Sequence, residues 1–350
     1  MKAIRSAALL VFLAACGPAE TGPRSAPERT LHVLVWSDYL VPELTAEFEK
    51  EFRCRVAETN FGNNEELRAK LLAGGSEFDL VCPTDYMVAL LAKDGALAEI
   101  DASKVPNLKN LSARFDGKPY DPGHRWSVPY QWGVTGIAWR KSAVPVAPTS
   151  WKDLFDETKL GAWKGRLSML NDGREVAAAA LLAAGRSPNS RDAKEIADAA
   201  ALVIRQRDFV AKYDSDLFGD SLVAKETVVA QGWSGTIANA QAEDPDIGFV
   251  VPDEGAFTYV DNWSVPKAAP QKELAFEFIN FLLRPEVAAK AANERRYASV
   301  NEAARPMIDP EILAGTAYED GHGKTLYWVE DVGPEAGDAY KRLWSDVKNR

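Results

Sequence analysis

The chain has 350 residues, 46% hydrophobic and 26% charged, with 24 Gly and 20 Pro, a soluble globular composition rather than a disordered, collagen-like or coiled-coil one. At about 100–200 residues per domain, that length suits two domains, each with its own core. The net charge of −10 without a basic run argues against a nucleic-acid binder, and three Cys and three His leave little material for a structural zinc site or a disulfide framework.

The first residues, MKAIRSAALLVFLAAC, place Lys2 and Arg5 before an apolar run at 7–15 and then Cys16. Such a run is too short to span a bilayer, which takes about 20 residues. It has the layout of a secretory signal, and its Leu13-Ala14-Ala15-Cys16 ending resembles the bacterial lipobox. Residues 1–15 are therefore expected to be removed and Cys16 to carry lipid. Residues 16–30, rich in Pro, Gly, Ser and charge, read as a flexible tether. Of the other cysteines, Cys54 precedes one predicted strand and Cys82 lies near the end of another. Opposite ends of a parallel sheet predict two buried free thiols, although export would permit a disulfide.

The apolar run LHVLVW at 31–36 suits a buried strand. A helix follows, with Pro42 in its first turn and Leu44, Phe48 and Phe52 at four-residue spacing. Then come a strand (56–61), a helix (64–74), a strand (78–83) and a helix (86–94). This alternation predicts a mostly parallel, doubly wound α/β sheet, which binds ligands beyond the carboxyl ends of its strands. A second alternation starts near 137: a short helix at 151–155, helices at 174–184 and 193–205, and strands at 228–233 and 247–252. A strand at 259–266, helices at 273–283 and 286–294, and a final helix at 336–348 complete the chain.

Aromatic and acidic residues recur at the predicted strand exits: Trp36-Ser37-Asp38-Tyr39, Thr84-Asp85-Tyr86, Asp172 to Glu175, Trp233, and Tyr259 to Asp261. Rings with a few carboxylates suit a cationic ligand with apolar stretches, since ring faces attract ammonium groups and carboxylates bond them. Each piece also has a structural explanation. Asp172 and Glu175 form a D-x-x-E capping box, Asp38 and Asp85 suit first-turn caps, and Trp36 or Tyr297 could simply be core. Enzyme signatures are missing from the sequence: Gly232-Trp233-Ser234-Gly235 is not a G-x-S-x-G elbow, His32, His124 and His322 are dispersed, and no G-x-G-x-x-G or Walker loop occurs.

The order of motifs resembles the polyamine (spermidine/putrescine) binding proteins of bacterial ABC transporters, from about residue 31 to the C-terminus. Its carriers are VWSDY at 35–39, FDLVCPTDYMV at 78–88, SVPYQWGVTGIAW at 127–139, NDGREV at 171–176, GWSG at 232–235, YVDNWSVP at 259–266, INFLLRPEVA at 279–288 and VEDVG at 329–333. The resemblance implies a type II periplasmic binding protein: two doubly wound α/β lobes joined by two hinge crossings. Lobe one would be 31–136 plus 261–303, and lobe two 137–260 plus 304–350. It implies ring contacts at Trp36, Tyr39, Tyr86, Trp233, Tyr259 and Tyr297, amine-binding carboxylates at Asp172, Glu175 and Asp261, and a polar contact at Thr84, with Ser37, Asp38, Asp85 and Glu330 as possible additions. Two positions depart from the spermidine-type pattern: Tyr259 stands where Trp is usual, and Val329 where Gln is.

Together these features imply an exported lipoprotein of the cell envelope or periplasmic space. It would capture a polyamine and deliver it to an inner-membrane ABC permease, as a monomer without catalytic residues, cofactor, metal or nucleic acid. The alternatives are the same fold holding another cationic solute, or a polyamine-sensing or assembly lipoprotein.

Overall fold

The computed structural model describes residues 29–74 and 77–349, so the expected signal peptide, Cys16 and most of the tether lie outside the described residues. Among those residues no helix is long and apolar enough to cross a membrane. The first half supplies β1 (Arg29–Trp36), α1 (Pro42–Phe52), β2 (Cys54–Phe61), α2 (Asn64–Leu72), β3 (Leu80–Val81), α3 (Asp85–Lys93) and the long β4 (Val128–Arg140). Next come α4 (Glu157–Trp163), β5 (Leu167–Met169), α5 (Gly173–Ala183), α6 (Ala193–Arg207), β6 (Val210–Tyr213) and α7 (Phe218–Val223). They are followed by β7 (Val229–Trp233), α8 (Ser234–Glu243), β8 (Ile247–Val250) and β9 (Ala256–Trp263). The chain ends with α9 (Lys272–Leu282), α10 (Pro285–Arg295), β10 (Ala298–Ser299), α11 (Pro310–Leu313), β11 (Leu326–Trp328) and α12 (Gly333–Lys348).

Two α/β lobes result. In the first, β1 sits between β2 and β3 in an all-parallel sheet of order β2-β1-β3. Its core gathers Leu31, Val33, Val35 and Leu80 with Phe48 of α1, whose ring meets Phe278 and Phe281 of α9 at 4.7 and 5.4 Å. The i, i+4 spacing of Leu44 and Phe48 puts both on the buried face of α1. In the second lobe, β5 runs parallel to β6 and β7, and the alanine-rich α5 is buried from Val176 to Ala183. Those small side chains let α5 sit among β5, α6 and α12 in one core.

The strands between the lobes are where the mostly parallel pattern gives way to antiparallel pairing. β4, buried at every position except the half-buried Trp139, pairs antiparallel with β7, β8, β9 and β10. The larger sheet has the order β11-β9-β4-β7-β5-β6 and is mixed. The chain leaves the first lobe along β4 and returns along β9, so the two crossings must oppose each other. The short strands β5, β6, β10 and β11 carried too little pattern to be anticipated, the long β4 was not anticipated either, and β9 begins at Ala256 rather than 259. Residues 264–266 remain alongside the first sheet through the isolated bridges Val81 to Ser264 and Leu97 to Pro266. The stretch from Ala304 to Ala317 packs against the alanines of α10 and against Ala238 of α8, bridging the two halves.

The tether prediction extends two residues too far, because Arg29 and Thr30 already pair with Cys54 and Arg55 in β1 and β2. Cys54 and Cys82 are both buried. Cys54 pairs with Arg29, whereas the Cys82 N–H bonds Leu34. Five residues of strand, at about 3.3 Å each, separate those levels, which is too far for a disulfide between the two.

Candidate functional site

The parallel strands deliver their next residues to one crevice, as the sheet rule requires. Trp36 ends β1, Thr84 follows β3, Asp172 follows β5 and Trp233 ends β7. All of them line a cavity of about 330 Å³ together with Tyr39, Tyr86, Glu175, Tyr259, Asp261 and Tyr297. That volume suits a small ligand. Among its lining residues eight are acidic, and only Arg174 and Arg295 are basic. The Arg174 guanidinium is turned to Asn189 and to the Tyr340 ring, 4.6 Å from its centroid. The cavity therefore presents a negative surface to whatever enters.

Asp261 sits in β9, between Gln131 of β4 on one side and Thr84 on the other. It is 2% exposed. The Tyr39 hydroxyl donates to one carboxylate oxygen, and Thr84 Oγ1 donates to the other at 2.7 Å. Asn64 in turn fixes Thr84: its Nδ2 donates to Oγ1 at 3.0 Å, and its Oδ1 accepts from the Thr84 N–H at 3.1 Å. Burial raises the Asp261 pKa to about 6, while the Tyr39 and Thr84 hydrogen bonds hold it below what burial alone would give.

The second carboxylate group begins α5. Asp172 caps that helix, accepting the Arg174 and Glu175 N–H groups at 2.8 and 3.2 Å, both on Oδ1. Glu175 does not complete the capping box. Its Oε1 instead accepts from Thr135 Oγ1 at 3.0 Å and from the Trp233 indole N–H at 3.3 Å. Those two donors are adjacent because Thr135 of β4 pairs with Trp233 of β7. Burial first, and then the Asp172 charge, push the Glu175 pKa up to about 8. Glu65 belongs to the same neighbourhood: it accepts from the Tyr86 hydroxyl at 3.3 Å, and burial and Asp172 raise its pKa.

Rings stand between the two groups. Trp36 and Trp233 meet edge to face with centroids 6.2 Å apart, and Trp233 meets Tyr259 at 6.4 Å. Tyr39 and Tyr297 pack at 5.2 Å on the Asp261 side. Toward the outer part of the cavity lie Ser37, Asp38 and Asp216. Partial burial and neighbouring Asp214 raise the Asp216 pKa.

The profile of the bacterial extracellular solute-binding protein family matches residues 43–319. The chain belongs to that family. It is 35% identical over 323 residues to the spermidine/putrescine-binding periplasmic protein of Escherichia coli, covering 91% of each chain. To the putrescine/cadaverine-binding protein of Pseudomonas aeruginosa it is 30% identical over 331 residues, 91% of this chain and 94% of that one. The solved structure of a putative spermidine/putrescine ABC transporter from Listeria monocytogenes superposes with a TM-score of 0.87 at 30% identity, covering 92% and 99% of the two chains. These proteins capture solutes for transport and are not enzymes.

Two of the sequence-derived candidates do not reach the cavity of this solute-binding protein. Asp85 is 1% exposed and lies behind the wall, where it accepts from the Tyr86 N–H at 2.6 Å and from the Val260 N–H at 3.3 Å. Its position at the start of α3 turns its side chain toward β9 while its neighbours Thr84 and Tyr86 face the slot. Glu330 is exposed and lies 3.8 Å from Arg191, so it does not complete the cavity beside Val329, which does line it. Conversely, Asn64, Phe257 and Arg295 line the cavity, and Thr135 and Glu65 support it. No strand-exit motif marks these residues; only the pairing of β4 with β7 would have exposed Thr135.

Proposed function

We propose that the protein is an exported, lipid-anchored polyamine-binding protein that delivers a putrescine- or spermidine-type ligand to an inner-membrane ABC permease. Lobe one comprises 31–136 and 261–303, and lobe two 137–260 and 304–350. Cys16 carries the lipid, so the monomer works in the periplasmic space or cell envelope.

One observation carries this reading: two separate carboxylate groups, buried Asp261 and buried Glu175 with half-buried Asp172, flank the Trp36–Trp233 pair. A dication with an aliphatic middle matches that order. Each ammonium forms charge-assisted hydrogen bonds with a carboxylate, and the methylenes lie against ring faces, where a desolvated cation–π contact contributes about 2 kcal/mol. Because the groups come from both lobes, the ligand has its full set of partners only when they are closed, and its extra affinity for that state shifts the equilibrium. Val329 offers no hydrogen bond at its end of the cavity, which favours the shorter diamines.

Thermal unfolding with putrescine, cadaverine and spermidine tests this directly. At 100 times Kd a specific ligand stabilises the folded chain by about 2.7 kcal/mol. Freshly purified protein should also show a co-purified amine in native mass spectrometry. An unchanged Tm with all three amines would overturn the polyamine reading in favour of another cationic solute.

A further inference from the structure

The turn Gly232-Trp233-Ser234-Gly235-Thr236 joins β7 to α8. Trp233 is its ligand wall, and Gly235 and Thr236 both meet the Tyr297 ring that lines the cavity. A Cβ on Gly232 would fall inside 3.0 Å of the Phe218 ring, which supports Trp233 from behind with centroids 5.9 Å apart. A Cβ on Gly235 would fall inside 3.0 Å of the Tyr297 ring, a separation real Cβ atoms essentially never show. The hydroxyl of that ring shares a hydrogen bond with Thr236 Oγ1 at 2.7 Å.

Gly133 does the same for the second tyrosine. It pairs with Tyr259 across β4 and β9, so the Tyr259 ring folds over the place where a side chain would stand. A Cβ there would lie 2.5 Å from the Tyr259 hydroxyl and 2.8 Å from Ser234 Oγ. Neither glycine has a positive φ, so neither is needed for its backbone conformation. In the first turn of α8, alanine would be the better helix former.

We propose that Gly133 and Gly235 are positioning residues: by carrying no side chain they seat Tyr259 and Tyr297 against the start of α8 and thereby set the width of the slot. A methyl at either position occupies the place of ring atoms of a tyrosine that lines the cavity, so that ring must shift. The two seats differ in reach. Tyr259 and Ser234 both lie on the strands and turn around β4, whereas Tyr297 packs in the core of the first lobe and Gly235 opens α8, whose Ile237 and Ala240 pack in the core around β7. The Gly235 seat therefore also fixes the distance between the lobes on that side, where Asn239 Nδ2 donates to the Arg295 carbonyl at 2.7 Å. The effect on binding rests on the polyamine reading; the seating itself does not.

The test is a pair of double-mutant cycles in the full-length protein. Gly235→Ala and Gly133→Ala are each made alone and together with removal of the seated ring, Tyr297→Ala or Tyr259→Ala. Putrescine affinity by calorimetry and ligand-free Tm are read for every variant. Each glycine substitution alone should weaken putrescine binding by at least about tenfold and lower the Tm; once its ring is gone Gly235→Ala should change neither, and Gly133→Ala should keep only the smaller effect of its Ser234 Oγ contact. Equal losses in both backgrounds, or a raised Tm for Gly235→Ala with binding intact, would overturn the proposal. If a single variant does not fold, folding of its double variant supports the seating and failure of both overturns it. Should the wild-type protein bind no amine, the polyamine reading falls, while the Tm cycles still decide the seating.

Discussion

Asp261 and Glu175 are both buried carboxyl groups on the wall of one cavity, yet their surroundings drive them to different charge states. Asp261 receives two hydroxyl donors from the first lobe, and its pKa stops at about 6. Glu175 receives a hydroxyl and an indole N–H but shares its site with Asp172, and its pKa reaches about 8. Donors that stabilise the anion oppose desolvation, and a neighbouring anion adds to it. At neutral pH Asp261 is therefore the more ionised of the two and carries the standing charge, and on the proposed function an ammonium would draw the proton from Glu175. On that reading, one end of the slot is built in advance and the other is completed by the ligand.

Removing the standing charge should do the most damage. Asp261→Ala is expected to weaken putrescine binding by about 3–5 kcal/mol, the cost of leaving one member of a buried charge pair alone. Titration calorimetry measures it, and wild-type affinity in this variant would break the contrast at its root.

The conditional charge should show itself through pH. The folded-state pKa of Glu175, about 8, lies above its unfolded value, which is about 4.3. Between these limits the folded chain keeps a proton that the unfolded chain releases, so ligand-free stability falls as pH rises through that window. Binding of an ammonium favours the ionised carboxylate, so affinity should instead rise from about pH 6 to about pH 8. Glu175→Gln should remove the part of both slopes that lies near pH 8, leaving that of Asp261 near pH 6, while costing less affinity than Asp261→Ala. An affinity independent of pH over that range would place Glu175 outside the ligand's reach.

The smallest expected effect sharpens the outer boundary of the site. Glu330→Ala alters an exposed side chain whose ion-pair contact with Arg191 is 3.8 Å, so it should leave affinity and stability unchanged within about 0.5 kcal/mol. A loss approaching that of Asp261→Ala would return Glu330 to the cavity.

The D-x-x-E pattern shows why residue type and spacing could mark the site without resolving it. Sequence alone left Asp172 and Glu175 as either cap or ligand contact. The structure divides the pair: Asp172 caps with one oxygen, and Glu175 turns to Thr135 and Trp233. Asp85 shows the converse. It stands between two cavity residues in the chain but lies on the opposite side of the α3 start, bonded to β9. Glu65 and Asn64 carried no aromatic or strand-exit signature, and they matter only because α2 brings them beside Tyr86 and Thr84.

By itself the chain order of apolar runs, turns and helix caps determined the α/β class and most of the helices, because those depend on contacts a few residues apart. It also placed the rings and acids at strand exits, since a parallel sheet sends all its carboxyl ends to one edge. Only the tertiary structure decided which acids share the slot, which hydroxyls hold them and how far each is ionised. Those properties depend on partners such as Thr84 with Asp261, or Thr135 with Glu175, that are far apart in sequence and meet only when β4 and β9 cross between the lobes.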